Sequence, residues 1–228
     1  MPDFPDTALR RSRQAVAEHL ARFDNHDPRI PYHELALERS LEDLPECPLP
    51  AGHAIVPYAP GDRAAWIAIE RSARELSGEA QGLEVWAKYF APWEDLLPER
   101  MFFVTDPAGE KAATATAWWD IRRENDGVNG MLHWVAVRRD VQGRGLAKPL
   151  ILHTLRRMAE LGCRRAVIPT QTTTWLACKV YLDLGFTPIP RNAERCRTGW
   201  RIVRTLTEHP ALAAFEPLPE EELTGGAE

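Results

Sequence analysis

Apolar residues recur at helical spacing in the first fifty positions of the chain. From Asp6 to about Phe23 they stand three and four apart with arginines between them, which predicts an amphipathic helix. A shorter helical pattern covers His33–Leu44 and lies between prolines, which interrupt helices. These patterns predict that residues 1–50 form a helical arm in front of the main domain.

From Gly52 onward the pattern changes to alternating strand and helix segments. Short apolar runs predict the strands, and longer runs with apolar residues three and four apart predict the helices. The predicted strands cover residues 53–58, 101–105, 112–120, 131–137, 165–169, 186–189 and 200–205, and the predicted helices cover 62–76, 83–96, 145–161 and 174–184. This alternation predicts a mixed α/β domain over residues 51–206. Residues 207–228 are rich in Pro, Glu and Gly, which predicts a loosely ordered tail.

The composition narrows the classes of function open to this domain. A chain of 228 residues with 44% hydrophobic residues fits one enlarged globular domain. The net charge is −5, from 28 basic and 33 acidic side chains, so neither nucleic acid nor an anionic membrane is an expected partner. We find no apolar run long enough for a membrane helix and no secretory signal in the first residues. The four cysteines are scattered, which predicts reduced thiols and a cytoplasmic location. The histidines at 19, 26 and 33 are seven apart, but prolines interrupt any helix that could align them, so no metal site is expected.

The most informative segment runs from Leu132 to Ala147, with the sequence LHWVAVRRDVQGRGLA. A predicted strand ends at Val137, and Gly143 and Gly145 open the next helix. A glycine turn at a helix N-terminus suits a phosphate, because the first backbone N–H groups point outward and glycine allows close approach. Lys148 stands where a dinucleotide fingerprint requires glycine or alanine, and the P-loop signature is missing.

The glycine segment resembles the acyl-coenzyme A signature of the GNAT family of N-acetyltransferases, Q/R-x-x-G-x-G/A. The matching residues are Q-G-R-G-L-A, from Gln142 to Ala147, and they follow V-A-V at Val135–Val137 as in that family. A second segment, Thr174–Phe186, resembles the family's N-x-x-A-x-x-x-Y-x-x-x-G-F helix, with Tyr181 in register. One position departs, because Thr174 stands where the family usually has Asn.

The resemblance implies a fold, a donor and a set of binding residues. The fold would be a central, mostly antiparallel sheet flanked by helices, in addition to the helical arm. Acetyl-CoA would be the acyl donor, and the acceptor a primary amine of a small molecule or a peptide; a homodimer is a further expectation. The residues expected to bind acetyl-CoA are Val135, Ala136, Val137, Gln142, Gly143, Arg144, Gly145, Leu146, Ala147, Lys148 and Thr174.

The same resemblance assigns Tyr181 a catalytic role at the departing thiolate. Proton transfer from a phenol with a pKa near ~10 to a thiolate whose thiol has a pKa near ~8.5 is energetically unfavourable. A hydrogen bond from the phenol to the developing thiolate therefore fits better than full proton transfer. The alternative is a core tyrosine, because Tyr181 shares an apolar helix register. A backbone N–H within Val135–Val137 is the expected oxyanion donor.

The proton acceptor for the amine is less well defined. Many family members have a glutamate on the strand before the glycine loop, but the matching position here is Met131. His133 lies two residues further, and strand alternation predicts that it shares a face with Met131 and Val135. An imidazole suits proton transfer near neutrality. A histidine packed in the sheet, Asp120 as the base, and a water relay remain alternatives.

Two other interpretations stay open. Without the family's glutamate, the domain is also compatible with a sensor that binds acyl-CoA and passes a signal through the arm. A dinucleotide-dependent oxidoreductase is disfavoured by Lys148. For the acceptor pocket, the candidate lining residues are Trp86, Trp93, Trp118 and Trp119.

Overall fold

A computed structural model describes residues 30–119 and 129–218. The strands are β1 Glu34–Ser40, β2 Ala54–Pro57, β3 Met101–Thr105, β4 Lys111–Trp119, β5 Asn129–Val137, β6 Arg165–Gln171 and β7 Thr187–Pro188. The α-helices are α1 Arg63–Ser72, α2 Glu79–Tyr89, α3 Leu97–Arg100, α4 Ala147–Glu160, α5 Trp175–Asp183, α6 Pro190–Arg195 and α7 Arg197–Thr207. Within the described ranges, each helix is too short or too polar to span a bilayer.

The described chain divides into two compact units. One is Arg39–Ile168, and the other comprises residues 30–38 and 169–218. Four of the strand pairings are antiparallel, and the pairing of β5 with β6 is parallel. The structure therefore has the mixed α/β character that the sequence pattern predicts and the mostly antiparallel pairing that the family resemblance implies.

The unit Arg39–Ile168 is built on strands in the order β2-β3-β4-β5-β6. Helix α1 packs against β4 and β5, and α4 packs against β3, β4 and β5. A Cβ at Gly130 would meet Met158 of α4, whereas the ring of His133 lies against Tyr89 of α2. Because residues 130 and 133 point to opposite sides of a strand, α4 covers one face of the sheet and α2 the other.

Aromatic side chains fill the core between α1, α2 and the sheet. The ring of Trp66 lies 5.4 Å from Trp86, 5.1 Å from Phe90 and 5.3 Å from Trp134, each in an edge-to-face arrangement. Such pairs contribute about 0.5–1.5 kcal/mol each beyond the burial of their area. This cluster holds α1 and α2 on the face that carries His133.

In the other unit, the side chain of Asn192 connects strand β1 with helix α7. The Asn192 side-chain oxygen accepts hydrogen bonds from the Ala36 amide at 3.2 Å and from the Trp200 indole at 2.9 Å. Strand β1 also pairs with β7, with Leu37 opposite Pro188. The segment 34–38 is thus an integral strand of this unit.

Two predicted elements have the wrong type. The segment His33–Leu44 was predicted as a helix, but it contains β1, because Leu35 and Leu37 are two apart and both fully buried. The segment 200–205 was predicted as a strand, but it lies within α7, because Trp200 and Val203 are three apart and both buried.

The end of the described chain also differs from expectation. Residues 207–218 were predicted as part of a loose tail, yet Leu212 and Leu218 are buried and the Leu218 amide donates to the Thr205 hydroxyl at 2.8 Å. The predicted helix of residues 6–23, Asp120 and residues 219–228 lie outside the described residues. The domain boundaries at 50/51 and 206/207 stay predictions.

Candidate functional site

Strand β5 contains a bulge at the centre of the candidate site. His133 pairs with Thr116 and Ala136 pairs with Thr114, so two residues of β5 stand opposite a single residue of β4. The first of the two, Trp134, has a φ of 48°, in the left-handed region. The bulge therefore takes residues 134 and 135 out of the regular ladder.

The bulge changes which residues share a face. Met131 pairs with Trp118 and His133 with Thr116, so these two β5 residues lie on one face as predicted. After the bulge that face continues at Ala136. The prediction that Val135 shares the face of His133 is wrong, because alternation holds only where the strand is regular.

His133 is half-buried in an aromatic environment. Its ring centroid lies 5.5 Å from Tyr89, 5.9 Å from Phe90 and 6.1 Å from Trp118. The backbone beside it is fixed by the strand and by the bulge. The described structure therefore places the imidazole among aromatic rings on the face of the sheet that α1 and α2 cover.

The glycine loop has the backbone that the sequence predicts. Gly143 and Gly145 have φ values of 76° and 80°, and residues 143–145 are exposed. A Cβ at Gly145 would have the Pro50 side chain as its nearest neighbour, at 3.8 Å. The loop thus presents open backbone to the solvent directly before α4.

Side chains of the loop hold its shape. The Gln142 side-chain amide donates to the Val137 carbonyl at 2.9 Å, which ties the loop to the end of β5. The Arg138 guanidinium donates two hydrogen bonds to the Asp140 carboxylate, at 2.7 and 2.9 Å. This pairing lowers the pKa of Asp140. Arg144 donates to the Asp140 carbonyl at 3.2 Å.

The electrostatics of the loop favour an anion. Residues 138–148 carry four cationic side chains and one carboxylate. Helix α4 begins at Ala147, two residues later than predicted, because both glycines lie in the left-handed region. Its first N–H groups have no acceptor within the helix, so the N-terminus adds a partial positive charge. Lys148 belongs to this first turn, and Leu146, directly before the helix, is buried.

Thr174 and Tyr181 lie in the unit that contains residues 169–218 and are described there. The Thr174 hydroxyl donates to the Gln171 carbonyl at 3.1 Å and is buried. Tyr181 is buried in α5, with its ring 5.9 Å from that of Phe186. Cys178 on the same helix is fully buried, and burial raises the pKa of its thiol to about 12.

The four tryptophans expected at an acceptor pocket have different environments. Trp86 and Trp118 are buried, and Trp86 belongs to the aromatic core. Trp93 is 50% exposed, and its ring lies 5.7 Å from that of Trp119. Trp119 also stacks under the Arg100 guanidinium at 3.9 Å. Of the four, Trp93 and Trp119 remain the better candidates to contact a ligand.

The comparisons with known proteins agree with this geometry. Residues 64–186 match the family model described as the Acetyltransferase (GNAT) family. A mycothiol acetyltransferase of Pseudarthrobacter chlorophenolicus is 26% identical over 180 residues, covering 77% of this chain and 55% of that protein. A mycothiol acetyltransferase of Nocardia farcinica is 27% identical and covers 67% of this chain and 52% of that protein. The chain spans about half the length of the curated relatives it matches.

A solved structure shows the same fold. It is a GCN5-related N-acetyltransferase from Sphaerobacter thermophilus, with a TM-score of 0.55, 19% identity, and coverage of 77% of this chain and 53% of that chain. The matched residues 64–186 make up more than half of the sequence and contain the bulged strand, the glycine loop and Tyr181. The chain is therefore a member of the GNAT acetyltransferase family.

Proposed function

We propose that the protein is an N-acetyltransferase that moves the acetyl group of acetyl-CoA to a primary amine. The observation that carries this proposal is the exposed left-handed glycine loop between a bulged strand and a helix N-terminus, inside the family match. The open backbone at Gly145 and the cationic surroundings fit a pyrophosphate.

The residues proposed to bind the donor lie mostly on this loop. They are Val135, Ala136, Val137, Gln142, Gly143, Arg144, Gly145, Leu146, Ala147, Lys148 and, in the other unit, Thr174. Gln142 acts indirectly, because its amide is engaged with the strand and sets the course of the loop. When bound, acetyl-CoA supplies the acetyl thioester that the amine attacks.

His133 is the proposed proton acceptor. An alkyl ammonium with a pKa near ~10.4 is only about one part in a few thousand neutral at pH 7, so removal of its proton contributes substantially to the rate. His133 is half-buried, and the aromatic rings of Tyr89 and Phe90 lie next to it. Asp120 lies outside the described residues and remains the alternative base, together with water.

Two further groups act on the developing charges. The backbone N–H of Val135 is the proposed oxyanion donor, because the bulge takes this residue out of the regular ladder. The Tyr181 hydroxyl is proposed to donate a hydrogen bond to the departing thiolate, a role that rests on its register in the family motif.

The acceptor is proposed to be a small molecule. This follows from the curated relatives, which are named mycothiol acetyltransferases. A homodimer, a cytoplasmic location and the division into an arm, a domain of residues 51–206 and a tail stay predictions.

A sensor that binds acyl-CoA without turnover is the second candidate. It is favoured by Met131, an apolar residue that is 3% exposed at the position where many family members have glutamate. The two candidates differ in whether an amine triggers release of coenzyme A.

Coenzyme A release with a panel of primary amines tests the proposed function. We expect amine-dependent release, and a rise in melting temperature with acetyl-CoA but not with NAD or ATP. At a hundred times its Kd, acetyl-CoA should stabilise the fold by about 2.7 kcal/mol. Stabilisation without release on any amine would favour the sensor, and no stabilisation at millimolar acetyl-CoA would refute the donor assignment.

A further inference from the structure

The end of helix α1 is connected to the start of the glycine loop by one serine. Ser72 is the last residue of α1 and is half-buried. Its hydroxyl oxygen accepts a hydrogen bond from the backbone N–H of Arg139 at 2.9 Å, across 67 positions of the chain. Both residues belong to the unit Arg39–Ile168. The hydroxyl therefore joins two segments that are distant in sequence.

The backbone N–H of Arg139 lies where a distant acceptor is needed. Arg139 is the first residue of a short helical turn, Arg139–Val141, that leads from β5 towards the glycines. The first N–H groups of a helical turn have no acceptor within it, and backbone N–H groups away from water are normally paired. The preceding amide, that of Arg138, donates to the Ala112 carbonyl of β4 at 2.8 Å. The sheet thus holds Arg138, and α1 holds the next residue.

The position of Ser72 is itself fixed by the way α1 ends. Ala73, the next residue, is fully buried. The Glu75 amide donates to the Glu70 carbonyl at 3.0 Å, and Arg74 has a φ of 66°. This is the left-handed closure with which many helices end. Ser72 therefore stands on an ordered helix end, where its hydroxyl can support another segment.

Helix α1 also contacts the bulged strand. The ring of Trp66 lies 5.3 Å from that of Trp134, the residue before the proposed oxyanion donor Val135. One helix therefore contacts both the bulge, where the thioester is proposed to react, and the glycine loop, where the pyrophosphate is proposed to bind. A donor that is held at both ends requires a fixed spacing between these two sites.

We propose that Ser72 is a positioning residue for the donor, because its hydroxyl holds the glycine loop at the spacing from the bulge that acetyl-CoA requires. This inference rests on the proposed function. Without the hydroxyl, the bond between Gln142 and Val137 still ties the loop to β5, but Arg139 loses its contact with α1. The loop then samples positions in which its N–H groups do not meet the pyrophosphate, and ordering it costs affinity. The transfer step uses no atom of Ser72.

Calorimetry and kinetics of S72A test this role. We expect the Kd and the KM for acetyl-CoA to rise by about 3–10-fold, the loss of one hydrogen bond expressed as affinity, while kcat and the KM for the amine stay within about twofold. Coenzyme A should lose as much affinity as acetyl-CoA, because the loop is proposed to bind the pyrophosphate that both contain. S72T retains the hydroxyl and should bind acetyl-CoA like the wild type.

S77A is the matched control. The Ser77 hydroxyl donates to the Gln81 side chain at 2.8 Å, so S77A also removes one hydrogen bond of a serine, but a bond between α2 and the segment that precedes it. Its Kd for acetyl-CoA should equal that of the wild type. The proposal would be overturned by an unchanged Kd in S72A, by the same loss in S72T or S77A as in S72A, or by a fall in kcat at an unchanged Kd.

Amide hydrogen exchange, followed by NMR, gives a readout that needs no turnover. The Arg139 amide should exchange at least about tenfold faster in S72A than in the wild type, whereas the Arg138 amide, bonded to β4, should keep its protection. Equal exchange of Arg139 in the two proteins would overturn the role of Ser72 in holding the loop. If the wild type transfers acetyl to no amine, the proposed function fails, whereas the exchange and the Kd still decide whether Ser72 holds the loop for the donor.

Discussion

The replacement of Gly145 by alanine separates the cost of backbone strain from the loss of a ligand contact. Gly145 has a φ of 80°, and a non-glycine residue in this region costs about 1–2 kcal/mol. The added Cβ would meet only the Pro50 side chain, at 3.8 Å, so steric conflict within the protein adds little. We therefore expect a moderate loss of stability, with Tm falling by about 2–4 °C per kcal/mol.

Gly109 provides a matched control for the same backbone strain. It lies in the turn between β3 and β4 with a φ of 85°, and a Cβ there would have no neighbour within 4 Å. G109A and G145A should lose similar stability in thermal unfolding. Only G145A should bind acetyl-CoA more weakly in calorimetry, by about tenfold or more, which corresponds to about 1.4 kcal/mol. Equal affinities in the two variants would refute the assignment of the glycine loop to the donor.

Three further predictions concern other parts of the protein. Y181F should fold normally, because its ring can keep the contact with Phe186, but turnover should fall by about 10²–10⁴ if the hydroxyl serves the thiolate; full activity would make Tyr181 a core residue. Q142A removes the hydrogen bond to the Val137 carbonyl, worth about 1 kcal/mol, and should raise the Kd for acetyl-CoA severalfold; an unchanged Kd would contradict the role of this bond in shaping the loop. Glu70, on α1, is fully buried, and burial raises the pKa of its carboxyl in the folded protein. The stability that this carboxyl contributes is therefore complete below its unfolded pKa of about 4.3 and is lost as the pH rises through its folded pKa. Urea unfolding at pH 5 and pH 8 should show E70Q gaining stability relative to the wild type at the higher pH, and parallel pH dependences would contradict the burial of an ionisable carboxyl.

The glycine loop could be predicted from the sequence because its determinants are local. Gly143 and Gly145 follow an apolar strand and precede an amphipathic helix, and each of these patterns lies within a few residues of the next. Only the start of the helix was placed too early, at residue 145 instead of Ala147. A glycine in the left-handed region ends or precedes a helix, so the boundary depends on a backbone angle that the pattern does not report.

The type of secondary structure was predicted less well for short segments with few apolar residues. The stretch around β1 has leucines at 35, 37, 41 and 44, which match both a strand and a helix depending on the pair that is counted. The segment forms a strand because Leu37 pairs with Pro188, a residue far along the chain. The segment of α7 is similarly short, and its buried Trp200 and Val203 reveal the helical period only once the core is known.

The details of the site that depend on distant contacts were not predictable. The bulge at Trp134 arises from the register between β4 and β5, and tryptophan ordinarily favours a regular strand. Glu70 gave no signal either, because a charged residue in an amphipathic helix usually lies on the solvated face. Its burial follows from the packing of α1 on β4 and β5.

Transfer of a labelled acetyl group tests the central claim most directly. The protein would be incubated with acetyl-CoA that carries ¹³C in the acetyl group and with a small-molecule primary amine, and the products analysed by mass spectrometry. The account predicts labelled N-acetylated amine in an amount equal to the coenzyme A released. Labelled acetate in place of acetylated amine, or intact acetyl-CoA with every amine although the donor binds, would contradict it.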